Sequence, residues 1–97
     1  MYKLSNLASE DFAAIFEYTL LNFGTHQADA YTDDLESIFD LLSRSPLIGR
    51  ECPEIAKEVR RHDHQQHVIF YRRKEHKIFV IRILHRQMEP MKHFFEL

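Results

Sequence analysis

The chain has 97 residues with no tryptophan, a single cysteine and a net charge of only −2. One thiol, Cys52, rules out an internal disulfide and fits a reducing compartment; with no identifiable basic partner beside it, it reads as inert. No apolar run approaches the ~20 residues that cross a bilayer. Met1-Tyr2-Lys3-Leu4-Ser5 lacks the basic flank and apolar segment of a signal peptide. A cytoplasmic protein without membrane contact is expected. At 44% hydrophobic and 29% charged residues, positions 1–97 are expected to form one domain around a modest core.

The small net charge conceals an asymmetry. Residues 1–58 hold four Lys/Arg against eleven Asp/Glu, net −7, while residues 59–97 hold nine against four, net +5. Either the halves neutralise each other internally, or the C-terminal half offers a basic surface to an anionic partner.

The strongest pattern lies in that basic half. Ile78-Phe79-Val80-Ile81-Arg82-Ile83-Leu84 is apolar except at Arg82 and rich in β-branched and aromatic residues, which predicts a strand covered on both faces at a sheet's centre. Period two puts Ile78, Val80, Arg82 and Leu84 on one side and Phe79, Ile81, Ile83 and His85 on the other. Arg82 then needs an acidic or carbonyl partner, because an unpaired buried charge costs several kcal/mol. His67–Arg72 is a second strand and Val59–His62 a shorter one, with Asp63–Gln66 as a polar turn, so three antiparallel strands form a meander.

The first half reads as helical. Tyr2–Leu7 alternates weakly, as a short edge strand would. Ser9 is the predicted N-cap of a helix whose stripe runs through Phe12, Ile15, Phe16, Thr19, Leu20 and Phe23 and stops at Gly24. Thr25 is the predicted cap of a second helix with Ala28, Tyr31, Leu35, Ile38 and Leu42 inward, ending at Ser45-Pro46. Its acidic residues lack the alternating ligands and central glycine of a calcium loop. Leu47–Pro53 is expected as a loop and Glu54–Glu58 as one helical turn. The result is an α+β fold: N-terminal strand, two-helix hairpin, antiparallel meander of about three strands and a short C-terminal tail. His62-x-His64 and His67 suggest metal ligation, but no Cys or carboxylate spacing completes a zinc site, so neither metal nor other cofactor is expected.

Several segments together resemble the ParE toxins of bacterial toxin–antitoxin modules, in the RelE/ParE superfamily. They are Phe16-Glu17-Tyr18-Thr19, Gly24-x-x-Gln27-Ala28-x-x-Tyr31, Leu41-Leu42-x-x-x-Pro46-x-x-Gly49-Arg50, Val59-Arg60, His67–Arg72 and Ile81–His85-x-x-Met88. Glu89-Pro90 departs from the family pattern. The resemblance implies inhibition of DNA gyrase by binding, blocked replication, and neutralisation by a cognate ParD-like antitoxin, with no enzyme chemistry and no sequence-specific binding of nucleic acid alone. A target that holds cleaved DNA is strongly anionic, which makes Arg60, Arg72, Arg82, His85, Arg86 and Lys92 the target-binding candidates. Phe12, Phe16, Leu20, Phe23 and Tyr31 are the antitoxin-binding candidates, with one sheet edge free to accept an added strand. The alternative is a RelE-like ribosome-dependent mRNA endoribonuclease. That chemistry needs clustered cations with a general acid and base, which Arg60, Arg82, His85 and His93 could supply in type, although the tail 91–97 has no tyrosine.

Overall fold

A computed structural model describes residues 1–95. The order is β1 (Tyr2–Leu4), α1 (Asn6–Phe23), α2 (Thr25–Arg44), β2 (Arg50–Glu51), β3 (Arg60–His64), β4 (His67–Lys74), β5 (Lys77–His85) and α3 (Pro90–Phe95). The strands form one sheet in the order β1-β5-β4-β3-β2. The expected meander is β3-β4-β5, all antiparallel, while β1 lies parallel to β5 at the edge and makes the sheet mixed. β4 takes the central position; β5 is interior, between β4 and β1.

α1 and α2 cover one face. Ala8, Ile15, Tyr31, Leu35, Phe39 and Leu42 meet Ile69, Tyr71, Ile78, Val80 and Ile83 in the larger core. Each such aliphatic or aromatic burial returns roughly 1.5–3 kcal/mol, which gives the hairpin its place on the sheet. The other face carries a thinner core of Cys52, Ile55, Val59, Val68, Phe70 and Leu84, closed by Ile81 and by Phe94 of α3, whose ring meets Phe70 edge-on at 5.2 Å. The tail therefore carries a short helix, Pro90–Phe95, that roofs the second face, and residues 54–58 make turns instead of a helical turn. β2 is a two-residue strand within the stretch expected as loop, paired to Arg60 and Arg61.

Period two fails inside β5. Tyr71 pairs with Val80 but Phe70 pairs with Arg82, so Ile81 is an extra residue, a β-bulge. The bulge shifts the phase: Ile83 joins Ile78 and Val80 under the helices, and Leu84 goes to the opposite core.

The caps also differ. Ser5, not Ser9, caps α1: its Oγ accepts from Ala8 N at 2.9 Å and donates to the bulged Ile81 carbonyl at 2.6 Å. Gly24, not Thr25, sits between the helices. Its φ of 92° is open to glycine alone without strain; its N–H donates to Leu20 O at 3.0 Å, closing α1, and its carbonyl accepts from Ala28 N at 3.1 Å, opening α2. With glycine scarce, the two-residue turns 65–66 and 75–76 place Gln65 (φ 52°) and Glu75 (φ 60°) in the left-handed region.

Candidate functional site: a groove beside the helical hairpin

β1 ends at Leu4, which leaves the second half of β5 without a strand neighbour on that side. Asp11 of α1 takes over. Its carboxylate accepts from Ile83 N at 3.0 Å and from Arg82 Nε and Nη2 at 2.8 and 3.0 Å, while Arg82 Nη1 reaches His93 O of α3 at 3.3 Å. Arg82 thus finds both the acidic and the carbonyl partner that its position demands, and its guanidinium is held charged, chiefly by the bond to Asp11.

Beyond this pair opens a groove of about 750 Å³. One wall is α1, with Ala14, Ile15, Tyr18 and Phe23; the floor holds Tyr31 and His67; the far wall is the end of β5 with Met88 and His93. Tyr31 Oη and His67 Nδ1 are 2.6 Å apart, and the His85 ring stands edge-on to His67 at 5.5 Å. Burial, then the neighbouring His85 and His64, pushes the His67 pKa down to about 4, so the ring is neutral at neutral pH. Burial likewise raises the Tyr31 phenol. The polar groups of the floor are therefore bonded within the chain, and what faces outward is mostly apolar.

The sequence-based candidates separate in the structure. Arg82 and His85 line the groove; Arg86, bonded through Nη1 to Gln65 O at 3.3 Å, and exposed Lys92 lie beside it. Arg60 and Arg72 belong to the opposite end of the sheet. Arg72 pairs with Phe79, six residues from His85 along β5, or ~20 Å. Arg60 serves the fold, donating to Gly49 O at 2.7 Å and Leu47 O at 3.4 Å. Of the aromatic and aliphatic candidates, Phe12 tilts against Phe39 at 6.1 Å, Phe16 and Leu20 are half-buried, and Tyr31 is the buried floor. Phe23 is 67% exposed on the rim, beside Tyr18 at 64% and Leu21 at 76%.

Sequence reasoning missed Tyr18, Leu21, His67 and Asp11. A second stripe at spacings of seven, four and three, Leu7, Ala14, Tyr18 and Leu21, is present in α1 and signals a second apolar flank. Nothing local signals Asp11, whose partner lies 71 residues away. Among the described residues, Arg82–Asp11 is also the one ion pair that joins the acidic and basic halves; Arg44–Asp40 and Arg61–Asp63 each stay within one half. Internal neutralisation thus accounts for little of the charge split. Cys52 is buried, which pushes its thiol pKa up, and no three His, Cys, Asp or Glu side chains converge as a metal set among the described residues.

Fold and groove define a small α+β protein of the helical-hairpin-on-sheet class. The family model described as "ParE toxin of type II toxin-antitoxin system, parDE" matches residues 2–90. Toxin ParE1 of Mycobacterium tuberculosis (strain CDC 1551 / Oshkosh) is 35% identical over 89 residues, 91% of each chain; Toxin ParE1 of Caulobacter vibrioides is 29% identical over 92 residues, 95% of each. A solved structure titled "Chromosomal ParDE TA system from P. aeruginosa" superposes with a TM-score of 0.74 at 21% identity, covering 87% of this chain and 92% of that one. The chain belongs to the ParE toxin family of type II toxin–antitoxin systems. No helix among the described residues is long and apolar enough to cross a membrane.

Proposed function

We propose that this protein is a cytoplasmic toxin that arrests DNA gyrase by binding it, blocks replication, and is held silent by a ParD-like antitoxin seated in the groove. Family membership supports the toxin reading. The observation that carries the antitoxin site is the groove itself. Tyr31 is answered by His67 and Arg82 by Asp11, so an apolar helix face of a partner can cover Ala14, Tyr18 and Phe23 without stranding a buried charge. The same bonding supports a toxin that acts without turnover. Of the cations the nuclease alternative calls on, Arg82 is committed to Asp11, and Arg60 is bonded to Gly49 O and Leu47 O at the other end of the sheet, so they do not cluster around one phosphate.

The test is a supercoiling assay with purified chain and gyrase, run beside ribosome-dependent cleavage of messenger RNA. Accumulated cleaved DNA, suppressed by the antitoxin, is the expected result. Cut messenger RNA with untouched gyrase refutes it. For the groove, Tyr18→Asp and Phe23→Asp are expected to abolish antitoxin binding while leaving the fold intact, since both side chains line it and are already solvated; undiminished binding removes the groove from the interface.

A further inference from the structure

The register of the sheet assembles a cationic set that neither the groove nor the core employs. Phe79 of β5 stands across from Arg72 of β4 on one side and from Lys3 of β1 on the other. One step nearer the hairpin end, Lys74 stands across from Lys77. Residues directly opposite in a sheet project from one face, and so do residues two apart along a strand, so Lys3, Arg72, Lys74 and Lys77 share a face around Phe79. The Arg72 guanidinium carbon lies 5.6 Å and the Lys74 ammonium 5.9 Å from the centroid of that ring. Ile78 and Val80, on either side of Phe79 in the chain, point into the core beneath the helices, so this is the face turned away from α1 and α2.

Two observations mark the set as facing a ligand. None of the four cations joins an ion pair among the described residues. The nearest acid in the chain, Glu75 of the turn, lines a separate cleft with Arg60, Arg73, Glu51 and Glu58, and the acids of α2 belong to the helical layer on the opposite side. Lys74 and Lys77, moreover, are like charges directly opposite each other, an arrangement that destabilises a strand pair unless an anion lies between them. Cations held ~5–7 Å apart on a rigid pleat around an aromatic ring suit a chain of phosphates. A lipid surface draws on apolar side chains that insert, whereas Phe79 is half-buried beneath Arg72 and Lys74.

We propose that the outer face at the β4–β5 hairpin end binds the phosphate backbone of nucleic acid without reading its sequence. Phosphate contacts position a protein and carry no base information, and cations on a flat sheet face, with no helix or ribbon to enter a groove, meet the backbone first. The site does not depend on which enzyme the toxin arrests.

The test is fluorescence anisotropy of the purified full chain with a labelled duplex DNA of about 20 base pairs. Single-stranded DNA and RNA of the same length are run in parallel to assign the polymer. Three or four phosphate contacts predict a ~40- to 150-fold loss of affinity for the duplex between about 50 and about 200 mM salt. Lys74→Gln/Lys77→Gln is expected to weaken binding at least ~10-fold and to lower the salt exponent by ~1.8, with a melting temperature equal to or above that of the parent because the repulsion is gone. Arg44→Gln, on α2, is expected to leave binding unchanged. Equal weakening by Arg44→Gln, no binding to any of the three polymers at low salt, or binding to phosphatidylglycerol vesicles in place of nucleic acid overturns the proposal.

Discussion

Removal of the Asp11 carboxylate probes the joint that holds α1, β5 and α3 together. Asp11→Ala leaves Ile83 N without an acceptor at an edge that β1 does not reach, and leaves Arg82, whose side chain is 14% exposed, with the His93 carbonyl at 3.3 Å as its remaining bond. Breaking a buried pair by removing one partner costs ~3–5 kcal/mol; because water reaches the 16% exposed Asp11 site, the lower end applies. Against a total stability of ~5–15 kcal/mol, a loss of ~3 kcal/mol lowers the melting temperature by at least ~12 °C for a chain of this size. Arg82→Leu removes the buried cation itself, and the double variant Asp11→Ala/Arg82→Leu leaves neither charge stranded. A thermodynamic cycle by urea unfolding is therefore expected to give a coupling energy of ~1.5–3 kcal/mol, with the double variant more stable than Asp11→Ala. Hydrogen exchange at the Ile83 amide is expected to accelerate in Asp11→Ala. Additive losses within ~0.5 kcal/mol, together with unchanged exchange at Ile83, would show that the pair is a bystander.

Two further perturbations follow from the geometry. His67 has its pKa depressed from 6.5 to about 4. Its folded pKa lies below its unfolded one, so its contribution is complete above pH 6.5 and is lost as pH falls through the window from 6.5 to 4; discounted for the part of the ring open to solvent, that loss is ~1–2 kcal/mol. His67→Gln is expected to flatten the pH dependence of chemical unfolding in that window, and an unaltered slope would show that His67 is not its source. Gly49 is the other test: a Cβ there would collide with Tyr71 Oη, which accepts from Gly49 N at 2.9 Å and donates to Pro46 O at 2.8 Å. Gly49→Ala is expected to cost ~1–3 kcal/mol of stability by thermal unfolding, since the clashing Tyr71 is fully buried and cannot move aside; a neutral effect would show that the loop is free to shift.

The helices and the three-stranded meander were legible because their signals are periodic over many residues, and the tertiary structure respects that period from Ala28 through Leu42. The phase of β5 was not. All positions around the bulge except Arg82 are apolar, so nothing distinguishes an inward from an outward residue, and Arg82 itself is drawn to the open edge by Asp11. The start of α1 was misplaced for a related reason. Ser9 followed by Glu10 and Asp11 has the composition of a helix start, yet Ser5 is fixed there by a bond to Ile81, 76 residues away, which no local window contains. The groove was half legible: Phe23 and Tyr31 come from visible stripes, while Asp11, His67 and His93 meet only because the sheet edge is closed by a side chain instead of a strand.

Closing that edge has a functional consequence. A sheet whose last exposed amide were free at Ile83 would invite strand addition beside α1, and a partner could dock there through backbone alone with little selectivity. With Asp11 occupying Ile83 N and Ser5 occupying Ile81 O, that edge offers side chains instead, so the antitoxin proposed for the groove has shape and apolar surface to read there. The two-residue β2 leaves the far edge differently disposed: Arg60 and Arg61 are paired, but among the described residues His62–His64 of β3 has no strand beyond it. For the proposed antitoxin, an extended segment would have its backbone ladder at β3, whose His64 carbonyl lies 3.5 Å from Tyr31 Oη of the groove floor, and its helix site at α1. Both lie toward the His67–His85 end of the sheet, so a single partner can engage them without reaching the cationic hairpin end, where Lys74 pairs with Lys77.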